Sequence, residues 1–191
     1  MKIRQKLPEL MVEASMVVLA VVIALAVDEW REDKQQEELA ERALQVVIAE
    51  IESNRDEVVE SAVDNTALLE QVVAAAATDS MPPDFDLTFE YSLISSSGWE
   101  TAQMTQATHF MSLDQVQNLA RLYGMQDLFQ QAQDRMLAFI LDIGQIASDD
   151  VTRIPDRARA PLTTAVGMGD ALVEAYDRFL EGLEDRSPGG G

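Results

Sequence analysis

Polar and apolar residues follow three different rhythms along this chain. The first has no alternation at all: Ala14 to Val27 reads ASMVVLAVVIALAV, fourteen residues without a charge, between the basic start Met-Lys-Ile-Arg-Gln-Lys and Asp28-Glu29-Trp30-Arg31. The second is helical. Leu39, Ala43, Val47, Ile51, Val58, Ala62, Thr66, Leu69 and Val73 recur mostly three or four apart with Glu and Arg between them, the stripe of an amphipathic helix. No proline or glycine falls between Met11 and Ala77, so the apolar block is expected to continue as a stalk into the first helix of a bundle. Ser53-Asn54 is where so long a rod is expected to bend, on helix propensity, and Pro82-Pro83 stops it.

The third rhythm has period two. Phe85-Asp86-Leu87-Thr88-Phe89-Glu90-Tyr91-Ser92-Leu93 alternates apolar and polar residues, ordinarily a strand. A single strand has no pairing partner in an otherwise helical chain, so it is read as an extended crossover whose aromatic residues pack onto the bundle. Ser97 is placed as the N-cap of a short helix from Trp99 to Phe110. Ser112-Leu113-Asp114-Gln115 has capping-box form and opens a long helix with Leu113, Val116, Ala120, Tyr123, Leu128, Ala132, Met136, Phe139, Ile140 and Ile143 on its apolar side. Gly124 and Gly144 weaken that helix, and Gly124 is its expected kink. A connector over 149–161 leads to a last helix with Pro161 in its first turn, carrying Leu162, Ala165, Val166, Gly169, Leu172, Val173, Tyr176, Leu180 and Leu183. Ala165 and Gly169, four apart, leave room for a close neighbour.

Whether the apolar block is a membrane anchor turns on its length. A span usually needs about 20 apolar residues, and a run of about 10–14 also fits a buried helix or a signal-peptide core. Extending the run back through Leu10, Met11 and Val12 admits one charge, Glu13, and gives a segment of roughly 27 Å at 1.5 Å per residue. Trp30 stands where an interfacial aromatic is expected. Ala24-Leu25-Ala26 has the small-x-small form of a cleavage site, but the helical pattern runs through it unbroken. The expected fold is all-α: an N-terminal transmembrane helix continuing into an antiparallel helical bundle of about three long helices and one short one. The corresponding divisions are a basic cytoplasmic N-terminus at 1–9, the anchor at 10–30, the bundle at 31–186 and a flexible tail at 187–191. Ala14, Ala20, Ala24, Val27 and Trp30 mark the anchor, and Ala20 and Ala24 form a small-xxx-small pair suited to a helix interface in lipid.

Charge then narrows the partners. The net charge is −20 with 47 % hydrophobic residues, too apolar for a disordered acidic tail. All but two of the 34 acids, Glu9 and Glu13, lie beyond the apolar block. An anionic cytoplasmic leaflet repels such a domain, which favours an extracytoplasmic bundle. Nucleic acid is excluded as a partner, because phosphate neutralisation needs clustered Lys and Arg. Zero cysteines exclude disulfides, thiolate catalysis and Cys-based metal centres.

No catalytic, cofactor or metal pattern emerges. His109 is the only histidine, without His-x-x-x-His or Glu-x-x-His spacing. The carboxylates of Glu50-Ile51-Glu52, Asp56-Glu57 and Asp149-Asp150 lack a calcium-loop pattern and read as solvated helix face. Trp99, Glu100, Gln103, Gln106 and His109, with Tyr123, are the densest set of groups suited to specific hydrogen bonding. They read either as a recognition surface beside the crossover or as a tryptophan locking the short helix into the bundle.

The segments Ala-Val-Asp-Glu-Trp-Arg-Glu after the apolar block, Trp99-Glu100-Thr101-Ala102-Gln103-Met104-Thr105-Gln106-Ala107, and Ala120-Arg121-Leu122-Tyr123 resemble uncharacterised bacterial single-pass membrane-anchored proteins. These join one transmembrane helix to an Asn/Asp-Glu-Trp element and a helical domain. The resemblance implies a bacterial inner-membrane protein and no known activity. In that group a glycine is expected after the threonine, where this chain has Gln106 and Ala107. The expected function is a non-enzymatic, membrane-anchored interaction or assembly module whose partners are the lipid bilayer and another protein or a second copy. The alternative is an extracytoplasmic ligand-sensing bundle lacking its own output domain.

Overall fold

The computed structural model describes residues 7–78, 85–143 and 153–184, with side chains in the first turns described for Glu13 and from Ser15 on. The basic start, Pro82-Pro83, Gly144 and the 187–191 tail lie outside the described residues. Four α-helices account for nearly all of the rest: α1 (Leu7–Thr78), α2 (Ser97–Met104), α3 (Leu113–Ile143) and α4 (Ile154–Glu184), with a 3-10 turn at Ala107–Phe110 between α2 and α3. Residues 85–96 are extended and form no strand.

Two clusters make the core. In one, Val47, Ile51 and Val58 of α1 pack with Leu119, Leu122, Tyr123 and Phe129 of α3 and Leu172 and Tyr176 of α4. In the other, Leu68 and Val72 of α1 meet Met136 of α3 and Ala158 and Leu162 of α4. Residue numbers therefore rise together along α1 and α3 and fall along α4. The bundle is not antiparallel throughout: α4 opposes both other long helices, while α1 and α3 run the same way. Two parallel helices need a return leg between them, and residues 85–96 supply it as extended chain. Phe85, Leu87 and Phe89 lie on the second cluster, as the period-two alternation predicts.

Three other expectations change. First, α1 is not broken at Ser53-Asn54; it is one helix from Leu7 to Thr78, and Asn54 is 3 % exposed. Second, the short helix begins at Ser97, with Ser96 rather than Ser97 at the N-cap and no hydroxyl capping the first turn. A carboxylate from α1 does that work. Third, α4 begins at Ile154, so Pro155 occupies the first turn and Pro161 lies inside the helix. Pro161 forfeits one intrahelical bond. The buried seam Ile154, Ala158, Leu162, Ala165 runs straight through it, so packing outweighs the local loss. The capping box is made as read: the Gln115 N–H donates to Ser112 Oγ at 3.2 Å and the Ser112 N–H donates to Gln115 Oε1 at 2.9 Å. Gly169 admits the edge of Phe129, which an added Cβ would meet at 3.2 Å.

At the other end, α1 leaves the bundle. Ala40 is the first buried residue along it among those whose side chains are described. The large apolar side chains from Met16 to Val27 are 49–68 % exposed, on every side of the helix. Among the described residues no helix is long and apolar enough to cross a membrane. The span read from the sequence starts at Leu10, and the side chains of Leu10, Met11, Val12 and Ala14 lie outside the description.

Two backbone positions give direct tests. Gln106 sits in the left-handed region at φ 60, ψ 15, a conformation that costs a non-glycine residue about 1 kcal/mol. Gln106→Gly is expected to raise stability by about 0.5 kcal/mol after the entropy of a new glycine is subtracted. Gly124 is helical, exposed and open around the position of a Cβ, so Gly124→Ala is expected to add about 0.5–1 kcal/mol. Thermal unfolding followed by circular dichroism checks both. A lower midpoint in either variant contradicts the local geometry described.

Candidate functional site

The most developed polar site is the groove between α1 and α3 that holds the return leg. An extended segment lying on helices has no ladder to join, yet its buried N–H and C=O groups need partners. Side-chain amides supply them. Asn65 of α1 takes residue 90 at both ends: its Nδ2 donates to the Glu90 carbonyl at 2.8 Å and its Oδ1 accepts from the Glu90 N–H at 2.9 Å. Gln133 of α3 does the same to residue 92, with Oε1 accepting from the Ser92 N–H at 2.7 Å and Nε2 donating to its carbonyl at 3.3 Å. Asn54 of α1 completes the set at residue 95, donating to the Ser95 carbonyl at 2.7 Å and accepting from its N–H at 2.8 Å.

Further bonds close the network. Gln126 also donates to the Ser95 carbonyl, at 2.8 Å, and its Oε1 accepts from Asn54 at 3.2 Å and from the Tyr176 hydroxyl of α4 at 2.8 Å. Glu57 accepts from the Leu93 N–H at 3.1 Å, and the Ser61 and Ser92 hydroxyls pair at 2.6 Å. Among the described residues no buried side-chain nitrogen or oxygen lacks a partner. Helical spacing explains the alignment. Glu50, Asn54, Glu57, Ser61 and Asn65 fall on one face of α1, and Tyr123, Gln126, Gln130 and Gln133 on one face of α3.

These positions displace the apolar stripes read from the sequence. After Val58 the buried face of α1 runs through Ser61, Asn65, Leu68 and Val72, one residue ahead of the expected Ala62, Thr66, Leu69 and Val73. Val63 is consequently 68 % exposed. On α3, Leu113 and Leu128 are exposed while Gln126 and Gln133 are buried. The α4 stripe matches its expectation at Leu162, Ala165, Gly169, Leu172 and Tyr176.

Glu50 finishes the groove at its α2 end. Its carboxylate accepts from the Gly98 N–H at 2.7 Å, from the Ser95 and Ser97 hydroxyls at 2.9 and 3.0 Å, and from the Tyr123 hydroxyl at 2.6 Å. An acid at a helix N-terminus is favoured by the free N–H groups there. Gly98 permits the approach, since a Cβ would stand 3.2 Å from the carboxylate. Partial burial pushes the Glu50 pKa up, but the bonds from Gly98, Tyr123, Ser95 and Ser97 outweigh it and hold the group below the ordinary carboxylate value of 4.5. Burial, with Glu50 beside it, drives the Tyr123 phenol far above its usual range, and burial does the same to Tyr176. Neither tyrosine reaches its ionised form near neutrality.

The six residues singled out in the sequence divide in two. Trp99 and Tyr123 are buried at 7 % and 5 % exposure and stack face to face, centroids 5.5 Å apart and planes 9° from parallel. Their faces are occupied by each other and by the core. Glu100, Gln103, Gln106 and His109 are exposed, and Glu100 accepts from the Ser96 hydroxyl at 2.8 Å. Among the described residues no three His, Cys, Asp or Glu side chains form a group fit for a metal ion.

A separate open cavity of about 300 Å³ lies between the start of α3 and the end of α4, lined by Gln115, Asn118, Arg121, Leu122 and Met125 on one side and Ala175, Arg178, Phe179, Gly182 and Leu183 on the other. Fold and site together define an all-α bundle whose non-helical return leg is bound by carboxamides. No protein family, curated protein or solved structure matches the chain.

Asn65→Asp preserves volume and the acceptor for the Glu90 N–H but sets a second oxygen against the Glu90 carbonyl. It is expected to cost about 2–3 kcal/mol in urea unfolding, as much as Asn65→Ala. An effect below 0.5 kcal/mol, as ordered by the figures for an unimportant surface site, contradicts the bidentate geometry. For Glu50, a lowered pKa means its stabilisation is present above the unfolded value and disappears as pH falls through the folded one. Glu50→Gln is therefore expected to lose about 1–2 kcal/mol at pH 7, with the gap to the parent chain closing below about pH 4. A gap independent of pH contradicts the role of the carboxylate charge.

Proposed function

We propose that this chain is a non-enzymatic, membrane-anchored helical protein that serves as an interaction or assembly module, with its acidic bundle on the extracytoplasmic side. The observation that carries the reading is the bare apolar block. Nine large apolar side chains from Met16 to Val27 stand 49–68 % exposed around one helix. Covering each contributes about 1 kcal/mol or more, so the sum is comparable to the stability of a whole domain. Monomers in water rarely leave a patch of that kind uncovered. Lipid covers it on all sides at once, and Leu10, Met11 and Val12 lengthen the block toward a full span. The likeness to bacterial single-pass proteins at Asp28-Glu29-Trp30 and from Trp99 to Thr105 supports the same reading.

The stretch from Asp28 to Glu38 has no apolar residue except Trp30. It is braced by pairs one turn apart, Lys34 with Glu37 and Arg42 with Glu38. A helix polar all round bridges solvent between two anchored parts. Between Val27 and Ala40 it spans roughly 20 Å, holding the bundle clear of the bilayer at the reach of a neighbouring membrane protein. Ala20 and Ala24 lie one turn apart on the exposed block and suit contact with another helix in lipid.

Alkaline carbonate extraction is expected to leave the full-length chain in the membrane pellet and to release Val22→Lys/Ile23→Lys, since each lysine costs about 2.5–3.5 kcal/mol at the centre of a span. Release of the parent chain overturns the anchor. In mild detergent the protein is expected to migrate as a defined oligomer or with a stoichiometric partner, weakened by Ala20→Leu/Ala24→Leu. A clean monomer that captures nothing overturns the assembly role.

A further inference from the structure

The open cavity between α3 and α4 is lined by two arginines in a strongly acidic chain. Acids outnumber Lys and Arg by 34 to 14 in the chain, yet among the described residues no Asp or Glu lines this cavity and two arginines do. A second surface pocket has acids around its arginine: Glu52, Asp56, Asp177 and Glu181 surround Arg55, which is ion-paired with Asp177 and Asp56. Arg121, by contrast, has no hydrogen bond or ion pair among the described residues. Arg178 reaches only its own helix, to the Glu174 carbonyl at 3.2 Å and to the Glu174 carboxylate at 3.7 Å, both side chains being largely exposed. Leu122, Met125, Phe179 and Leu183, buried or half-buried, line the same cavity. Gly182 leaves the opening clear, with nothing within 4 Å of an added Cβ.

We propose that this cavity is a binding site for a small organic anion with an apolar body, a medium-chain carboxylate. The carboxylate sits between Arg121 and Arg178, and the hydrocarbon covers the four apolar side chains. Planar guanidiniums suit a carboxylate in two-point contact, and an apolar lining with a few convergent polar groups is the ordinary make-up of a ligand site. The volume has room for a short chain. At roughly 30 Å³ per water-sized group, about 300 Å³ takes some ten heavy atoms, the size of octanoate. The site is distinct from the Trp99–Tyr123 stack and does not depend on the anchor.

The test is equilibrium dialysis of labelled octanoate against the full chain in nanodiscs of zwitterionic lipid, with empty nanodiscs subtracted. Saturable uptake of about one octanoate per chain is expected, with octanol at the same concentration competing at least tenfold more weakly. Arg121→Gln/Arg178→Gln is expected to weaken uptake tenfold or more, and Gly182→Leu to block it by filling the opening while leaving the helical circular dichroism unchanged. Uptake no greater than that of empty nanodiscs overturns the site. So does uptake that the arginine pair does not affect, or equal competition by octanol, either of which marks the cavity as a plain apolar face awaiting a protein partner.

Discussion

The structure depends on satisfying the backbone of a segment that has neither a helix nor a sheet to join. Residues 85–96 carry the chain back from the end of α1 so that α3 can start beside α1 and run parallel to it. Without a ladder, a buried N–H or C=O left unpaired costs about 1–3 kcal/mol, and the peptide groups of Ser92 are buried while those bonded at Glu90 and Ser95 are part-buried. Asn65, Gln133 and Asn54 remove that cost by placing a carboxamide, which has the same donor and acceptor pair as a peptide group, against residues 90, 92 and 95. Parallel α1 and α3, the position of α2 and the burial of Tyr176 on Gln126 follow from that arrangement.

Electrostatics extends the same logic to α2. That helix is eight residues long, too short to stand alone in water, and its first turn has no hydroxyl cap. Glu50 replaces the cap from a neighbouring helix, and in bonding Tyr123 as well it ties the α2 terminus to the stacked Trp99 and Tyr123. The return leg, α2 and the two parallel helices therefore stabilise one another through a connected polar network. Networks of this kind are favourable when every member is paired, and this one has no buried orphan among the described residues.

Much of the architecture is legible in the sequence, and the misses share a cause. The helical periods, the capping box at Ser112 and Gln115, the extended character of residues 85–93 and the apolar face of α4 can all be read from residue types. On α1 and α3 the rule that apolar residues point inward fails locally, because the interior there must bond a peptide backbone and takes Ser61, Asn65, Gln126 and Gln133 in place of Val63 and Leu128. A signal was present: carboxamides in phase on two helices, with an unpaired period-two segment between them. Pro161 misleads in the opposite sense, since a local rule against interior proline yields to the seam of Ile154, Ala158 and Leu162. Of the six residues read either as a recognition surface or as a lock on the short helix, Trp99 and Tyr123 turn inward as a stacked, buried pair, in keeping with the second reading. The α3–α4 cavity escaped notice because Arg121 and Arg178 are 57 positions apart and meet only when the helices pack antiparallel.

Amide hydrogen exchange measures the governing interaction most directly. The N–H groups of Glu90, Ser92 and Ser95 are expected to exchange as slowly as the core of α1 near Val58, only when the whole bundle unfolds. Exchange of those three amides at the rate of free coil, while α1 stays protected, would contradict the clamped return leg on which the fold is built.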